Sequence, residues 1–303
     1  MYQMLVLLIG VMLSIMISIN GNLTAAYGLF PAAAIIHIVG SLVAALLCCF
    51  QKDKKPLLGH RPVWIYLGGV IGVFTTVFNN LAYGHISMTS IVALGLLGQT
   101  ITALIFDTFG LLGMKKQPFK KSSLLGLIFS LIGIILMMDN TVTQALIAVI
   151  VSLISGATVV LSRTVNFRLA EAIGALRGSL VNHLAGLPIT LVLAIGSIFF
   201  AKGITVPENA AQPWIYVGGA FGVVVVVLFN LTVPRIASFQ LTLLSFVGQI
   251  FTGVLIDVIT GCGYSDASFL GGIVIAAGVA IGIMVERVTS IRKLRGQNSK
   301  IEG

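Results

Sequence analysis

The feature that most limits what this chain can fold into is a series of long apolar runs, separated by short polar patches and almost free of charge. Each run is about 18 residues or longer, the length that crosses a hydrocarbon core. In lipid every backbone N–H and C=O must be bonded internally, so only helices and closed barrels can span. Barrel strands alternate between lipid-facing and lumen-facing residues. These runs are continuous, so they are expected to be helices. Composition agrees. Charged residues make up 9% of the 303-residue chain and hydrophobic residues 57%, against about a quarter charged in a soluble domain.

The expected spans are 3–22, 30–50, 63–84, 87–110, 121–139, 143–163, 176–200, 213–233, 237–260 and 268–287. The first begins almost at Met1 without a basic leader, so it is expected to be retained as a span. A net charge of +9 raises the question of a nucleic-acid partner. The basic residues, however, form short clusters between the runs, the pattern of cytoplasmic loops. No nucleic-acid partner is expected. With the N-terminus placed in the cytoplasm, 17 of the 18 Lys and Arg fall in inward loops and the tail, and Lys202 alone falls outside. Both termini are therefore expected to be cytoplasmic. The chain lacks a Walker A loop, a His-Glu-x-x-His motif and a nucleophile elbow. Cys48, Cys49 and Cys262 have no metal-ligand or disulfide spacing. The expectation is a protein that is not an enzyme and takes no cofactor and no metal.

The chain repeats itself. Trp64–Asp107 aligns without gaps on Trp214–Asp257 at an offset of 150, with 16 of 44 positions identical. The informative matches are Trp64/Trp214, Tyr66/Tyr216, Asn80/Asn230, Gln99/Gln249, Thr102/Thr252 and Asp107/Asp257. Upstream the offset is 146, pairing Asn20/Asn166, Gly28/Gly174, His37/His183 and Gly40/Gly186. Near the end of each copy, Gly126/Gly271 and Gly133/Gly278 match at 145. The chain divides into a first five-helix unit over 1–140, a second over 141–290, and a basic cytoplasmic tail over 291–303. Five is odd, so the second copy enters the membrane from the opposite side. Such inverted repeats characterise many secondary transporters, whose solute sites lie near the midplane where the copies meet. The fold class expected is all-α integral membrane, with ten transmembrane helices in two inverted five-helix repeats. The function expected is secondary active transport of a small polar solute by alternating access, with a channel or facilitator of the same symmetry as the alternative.

Local motifs add a family resemblance. Asn20-Gly21-Asn22-Leu23 closes the first span, Gly68-Gly69-Val70-Ile71-Gly72 lies in the third, and Gly98-Gln99 with Asp107-Thr108-Phe109-Gly110 closes the fourth. With ten spans in two copies, these resemble the drug/metabolite transporter superfamily and its YdcZ-like branch of inner-membrane exporters. The resemblance covers nearly the whole chain, which looks like a fused pair of units that often occur singly. The second copy departs after Asp257, reading Val258-Ile259-Thr260-Gly261. The resemblance implies efflux of a metabolite or drug-like solute across the bacterial inner membrane. The partners implied are that solute, the bilayer and, as one option, protons or another coupling ion; pairing with a second copy is left open.

Polar groups within spans are costly, and each is a functional candidate by default. Gln99 and Gln249 fall mid-helix, with Thr102 and Thr252 one turn along. An amide can read a polar solute without charge, or it can join helices. Thr76, Asn80 and Tyr83 share one face of the third span, where the second copy has Val226, Asn230 and Val233. Asn20 and Asn166 lie near the expected ends of the first and sixth spans, where Asn also serves as a cap or break. The coupling candidates are Asp107, Asp257, His37 and His183. Asp107 and Asp257 are the matched carboxylates, each about a turn from a helix C-terminus. A carboxylate there opposes the helix dipole and needs compensation. Lys115 and Lys116 are the nearest cations to Asp107 in sequence. His37 and His183 lie early in the second and seventh spans and also fit packed or interfacial positions. Arg163 aligns with Ile17 and is expected to snorkel at the inner end of the sixth span. With no charge expected at mid-membrane depth, a neutral or zwitterionic solute is favoured.

Overall fold

Every apolar run is helical in the computed structural model, which describes residues 2–52, 55–82, 85–117, 121–143, 145–200, 212–261 and 265–298. The first half holds α1 (Tyr2–Tyr27), α2 (Leu29–Cys49), α3 (Gly68–Ala82), α4 (Met88–Phe109) and α5 (Lys121–Met137). The second holds α6 (Leu146–Ile173), α7 (Ala175–Phe200), α8 (Gly218–Thr232), α9 (Ser238–Thr260) and α10 (Asp266–Asn298). Eight of these are long and apolar enough to cross a membrane: α1, α2, α4, α6, α7, α9, α8 together with the 3-10 turn before it, and α10 to Val285. α3 and α5 are shorter apolar helices. α3 is preceded by a 3-10 turn at Val63–Tyr66, as α8 is by Pro213–Tyr216. Large apolar side chains stay exposed on the outside of the bundle, among them Leu46, Ile135, Ile147, Ile195 and Phe199. A face of that kind suits lipid rather than water.

Several boundaries differ from the sequence expectation. α1 and α6 run on to Tyr27 and Ile173, so Asn20, Arg163 and Asn166 lie inside helices. Neither Asn is a cap or a break. α10 continues through most of the basic tail to Asn298. The turns after α1 and α6 are single residues, Gly28 at φ 82° and Gly174 at φ 94°. Only glycine adopts that conformation without strain. Their match at offset 146 marks the same reversal in both halves.

Packing between the halves is exchanged pairwise. α1 packs on α8 and α9, as α6 packs on α3 and α4; α2 packs on α7 and α8, as α7 packs on α2 and α3; α5 packs on α10. Swapping the halves reproduces this set. Along α3 and α6, Gly68 meets Asn166, Thr75 meets Thr158 and Asn79 meets Ser155, so the two helices run antiparallel. Along α1 and α8, Asn20 meets Gly218 and Met16 meets Gly222 in the same sense.

Candidate functional site

Between α3 and α8, α2 crosses α7. Gly40 and Gly186 leave hollows at the crossing. A side chain at Gly40 would run into the imidazole of His183, and one at Gly186 into that of His37. The two histidines therefore meet, with ring centroids 5.5 Å apart and planes inclined at 65°. His37 Nδ1 lies 3.1 Å from the His183 carbonyl oxygen. His183 is buried, and neither of its ring nitrogens has a partner. Both histidines are packed, each against the other's helix.

α3 and α8 flank this crossing. Asn166 lies against Gly68 at the start of α3 and donates Nδ2–H to Asn182 Oδ1 at 2.8 Å. Asn20 lies against Gly218 at the start of α8, and its Oδ1 is buried without a partner. Ile36 stands where the second half has Asn182, so α2 offers no side-chain acceptor at that place. From there the α3–α6 seam continues as hydrogen bonds. Ser162 Oγ donates to the Gly68 carbonyl at 2.8 Å, Thr75 and Thr158 hydroxyls lie 2.8 Å apart, and Ser155 Oγ donates to Asn79 Oδ1 at 2.8 Å. The matching α1–α8 seam offers Met16, Met12 with Val225, and Ile9 with Phe229. One seam is polar and its mate apolar. Scanning the repeat for identities passes over these residues; a difference between aligned copies is the signal that finds them.

The other candidates lie on other helices. Gln99 and Gln249 are half-buried, each next to a glycine at a close helix crossing: Gly98 against Leu153 of α6, and Gly248 against Leu7 of α1. Thr76 is half-buried on α3. Asn230 is buried on α8 and donates Nδ2–H to the Ala175 carbonyl at 3.1 Å. Asn80 and Asp257 belong to α3 and α9, but their side chains lie outside the described residues, as does Tyr83 entirely.

Asp107 is buried near the end of α4. Its two carboxylate oxygens accept the backbone N–H groups of Ser238 and Phe239, each at 2.8 Å. Those are the first two residues of α9. The compensation it needs thus comes from another helix's N-terminal amides rather than from Lys115 and Lys116. Arg163 is 6% exposed and does not snorkel. It donates Nη2–H to Thr242 Oγ1 at 2.6 Å and to the Ser238 carbonyl at 3.2 Å, on the same first turns of α9. Asp107 supplies opposite charge nearby. A cavity of about 190 Å³ adjoins this clasp, bordered by Lys115, Gln117, Arg168 and Glu171, the last two paired with each other. Among the described residues no group of three or more His, Cys, Asp or Glu is placed to hold a metal ion.

A solved crystal structure of a chain 16% identical superposes with a TM-score of 0.72, covering 95% of this chain and 97% of the other. At that identity the likeness establishes a shared fold. No curated protein matches the sequence. The model of the family described as "Putative inner membrane exporter, YdcZ" matches residues 1–136 and, a second time, residues 147–285. Each half is thus one copy of the family unit, as the sequence resemblance implies. A family of membrane exporters accounts for the apolar exterior, the multiple spans and an inner-membrane location. The chain belongs to the YdcZ family of inner membrane exporters, as a fused pair of its units.

Proposed function

We propose that the chain is a secondary transporter that exports a small polar solute by alternating access. It crosses the membrane ten times, as two inverted five-helix copies with both ends in the cytoplasm. The carrying observation is the exchange of helix partners between halves. If one half can adopt the conformation of the other, the swapped arrangement is a second state of similar energy, open at the opposite face. Loop charge supports the orientation: apart from the buried Arg163, 16 of the other 17 Lys and Arg fall on one side. The antiparallel α3–α6 and α1–α8 contacts agree with strict alternation of spans.

Gln99, Gln249 and Thr76 are the solute contacts in this scheme, with Asn20 contributing its unpartnered oxygen. All are uncharged. Arg163, the one cation buried among the described residues, is offset by Asp107, so a neutral or zwitterionic solute fits. Asp107 is committed to α9, and His37 and His183, which meet side by side, are the coupling pair for a proton in this scheme. Their meeting at the crossing of repeat-related helices supports this role, because the two halves of the scheme exchange about that contact.

Counterflow in proteoliposomes tests the scheme. Saturable exchange accelerated by solute on the far side is expected. Flux that never saturates points to a channel, and no exchange over a broad panel of metabolites rejects transport.

A further inference from the structure

The swap symmetry is broken in one respect. α8 packs on α6 and α7 of its own half, whereas among the described residues α3 makes no comparable contact with α1 or α2. The residues that hold α8 are specific. Asn230, 4% exposed, donates Nδ2–H to the Ala175 carbonyl in the first turn of α7. Its carboxamide lies against Gly178, where the missing side chain makes room. One residue earlier, the Phe229 ring lies under the Arg163 guanidinium, 6.0 Å from centroid to Cζ. These contacts gather the end of α8, the start of α7 and the adjoining part of α6. That end of the bundle is the one loop charge assigns to the cytoplasm. By the repeat offsets, the mirror contact would join Asn80 of α3 to Leu29 at the start of α2, with Ala32 in the place of Gly178.

We propose that Asn230 is a latch: it closes the cytoplasmic mouth in a conformation open to the outside, and Asn80 closes the outer mouth in the opposite conformation. The latch rests on the alternating-access scheme above. Asn230 is then a positioning residue rather than a solute ligand. The bond is suited to opening, because Oδ1 of the same carboxamide is buried without a partner. A group left half-satisfied gives back part of what its one bond contributes.

The test uses spin labels across each mouth, in nanodiscs, with Cys48, Cys49 and Cys262 changed to Ser. Leu81 with Ala25 reports the outer mouth, and Leu231 with Glu171 the inner mouth; the two pairs are repeat mates at offsets 150 and 146. Distances by electron double resonance then count the two states without any solute. Asn230→Leu keeps the side-chain size and removes the donor. It is expected to move the population about fivefold toward the inward-open state, the ratio that loss of one such bond implies. Asn80→Leu is expected to move it in the opposite direction and by less, because the Ala32 methyl stands where Gly178 makes room. Opposite shifts support the latch. Equal or same-sign shifts overturn it, because a merely structural role has no reason to differ in sign. Should Asn230→Leu fail to fold, the sign of the Asn80→Leu shift decides alone. If both pairs exchange between two distances in the parent but neither variant moves them, the latch fails and alternating access stands. A single fixed distance at each mouth in every variant overturns both.

Discussion

His37 and His183 meet edge to face at the crossing of α2 and α7, each ring seated in the hollow of a glycine on the other's helix. The arrangement maps onto itself when the halves are exchanged, as 37 to 183 and 40 to 186. The fit is steric, since added methyl groups have nowhere to go. Gly40→Val is therefore expected to destabilise the protein by about 1–3 kcal/mol, the usual cost of overpacking. His183→Ala in the same chain removes the obstructing ring and is expected to restore part of that loss. Thermal unfolding of the purified protein in detergent measures both. A Gly40→Val defect that His183→Ala leaves untouched would assign the clash to another neighbour.

Asp107 makes a second prediction. In the first half, Ser87 caps α4 by accepting the Ser90 N–H at 3.1 Å. The aligned residue before α9 is Ala237, which has no side-chain acceptor. Asp107 supplies the missing acceptors from α4 and also opposes the charge of Arg163. Asp107→Ala removes both roles and leaves a buried cation unbalanced, for an expected loss of about 3–5 kcal/mol. Asp107→Asn keeps the shape and a neutral acceptor and should lose less. Ala237→Ser gives α9 a cap of its own and should recover about 1 kcal/mol in the Asp107→Ala background. The melting temperatures of the four proteins check the order. No recovery with Ala237→Ser would mean that the carboxylate acts through Arg163 alone.

How far the sequence carries depends on the kind of information. Run length and hydropathy locate every helix, because crossing lipid imposes both. Matched pairs such as Gly28/Gly174 and His37/His183 are visible too, although their roles as a positive-φ turn and a buried contact are not. Arg163 illustrates the limit. Its charge makes the sixth span stop there on paper, yet α6 continues ten residues further to Ile173. The cause is that Asp107, 56 positions upstream, reaches the same turn of α9. Offsetting charges brought together by the fold carry no local signature. The Ser87/Ala237 and Asn182/Ile36 differences were legible in the alignment of the copies, but only to a search that weighs mismatches.

Gln99 and Gln249 test the solute site. Each stands beside a glycine at a tight helix crossing, which could make it glue rather than ligand. The two roles separate by readout. As a ligand, Gln99→Ala is expected to raise KM for the transported solute by about tenfold, the equivalent of one polar contact, with little change in melting temperature. Gln249→Ala should act likewise, and less if the solute sits nearer the polar α3–α6 seam. Counterflow kinetics alongside thermal unfolding settles which applies. Equal losses of stability and uptake, with KM unchanged, would assign both residues to packing.

The α3–α6 seam yields a prediction with direction. Thr158 Oγ1 donates its hydrogen to the Ser155 carbonyl at 2.7 Å, so towards Thr75 it can only accept. Thr75 is therefore the donor of the 2.8 Å bond between the two hydroxyls. Thr75→Val leaves Thr158 one lone pair short, which costs little. Thr158→Val strands the Thr75 hydroxyl hydrogen at a part-buried helix contact, which costs more. Interhelical bonds of this kind contribute about 0.6 kcal/mol on average and up to about 1.7 kcal/mol. The second variant is expected near the upper figure and the first near the lower. Changing both to Val should cost less than the sum of the two, since no group is then left unpaired. That outcome would explain how the α1–α8 seam holds with Val225 and Met12 at the same places. A strictly additive cycle would mean that the two hydroxyls do not depend on each other, and the asymmetry between the seams would then lie in Ser155 and Asn79.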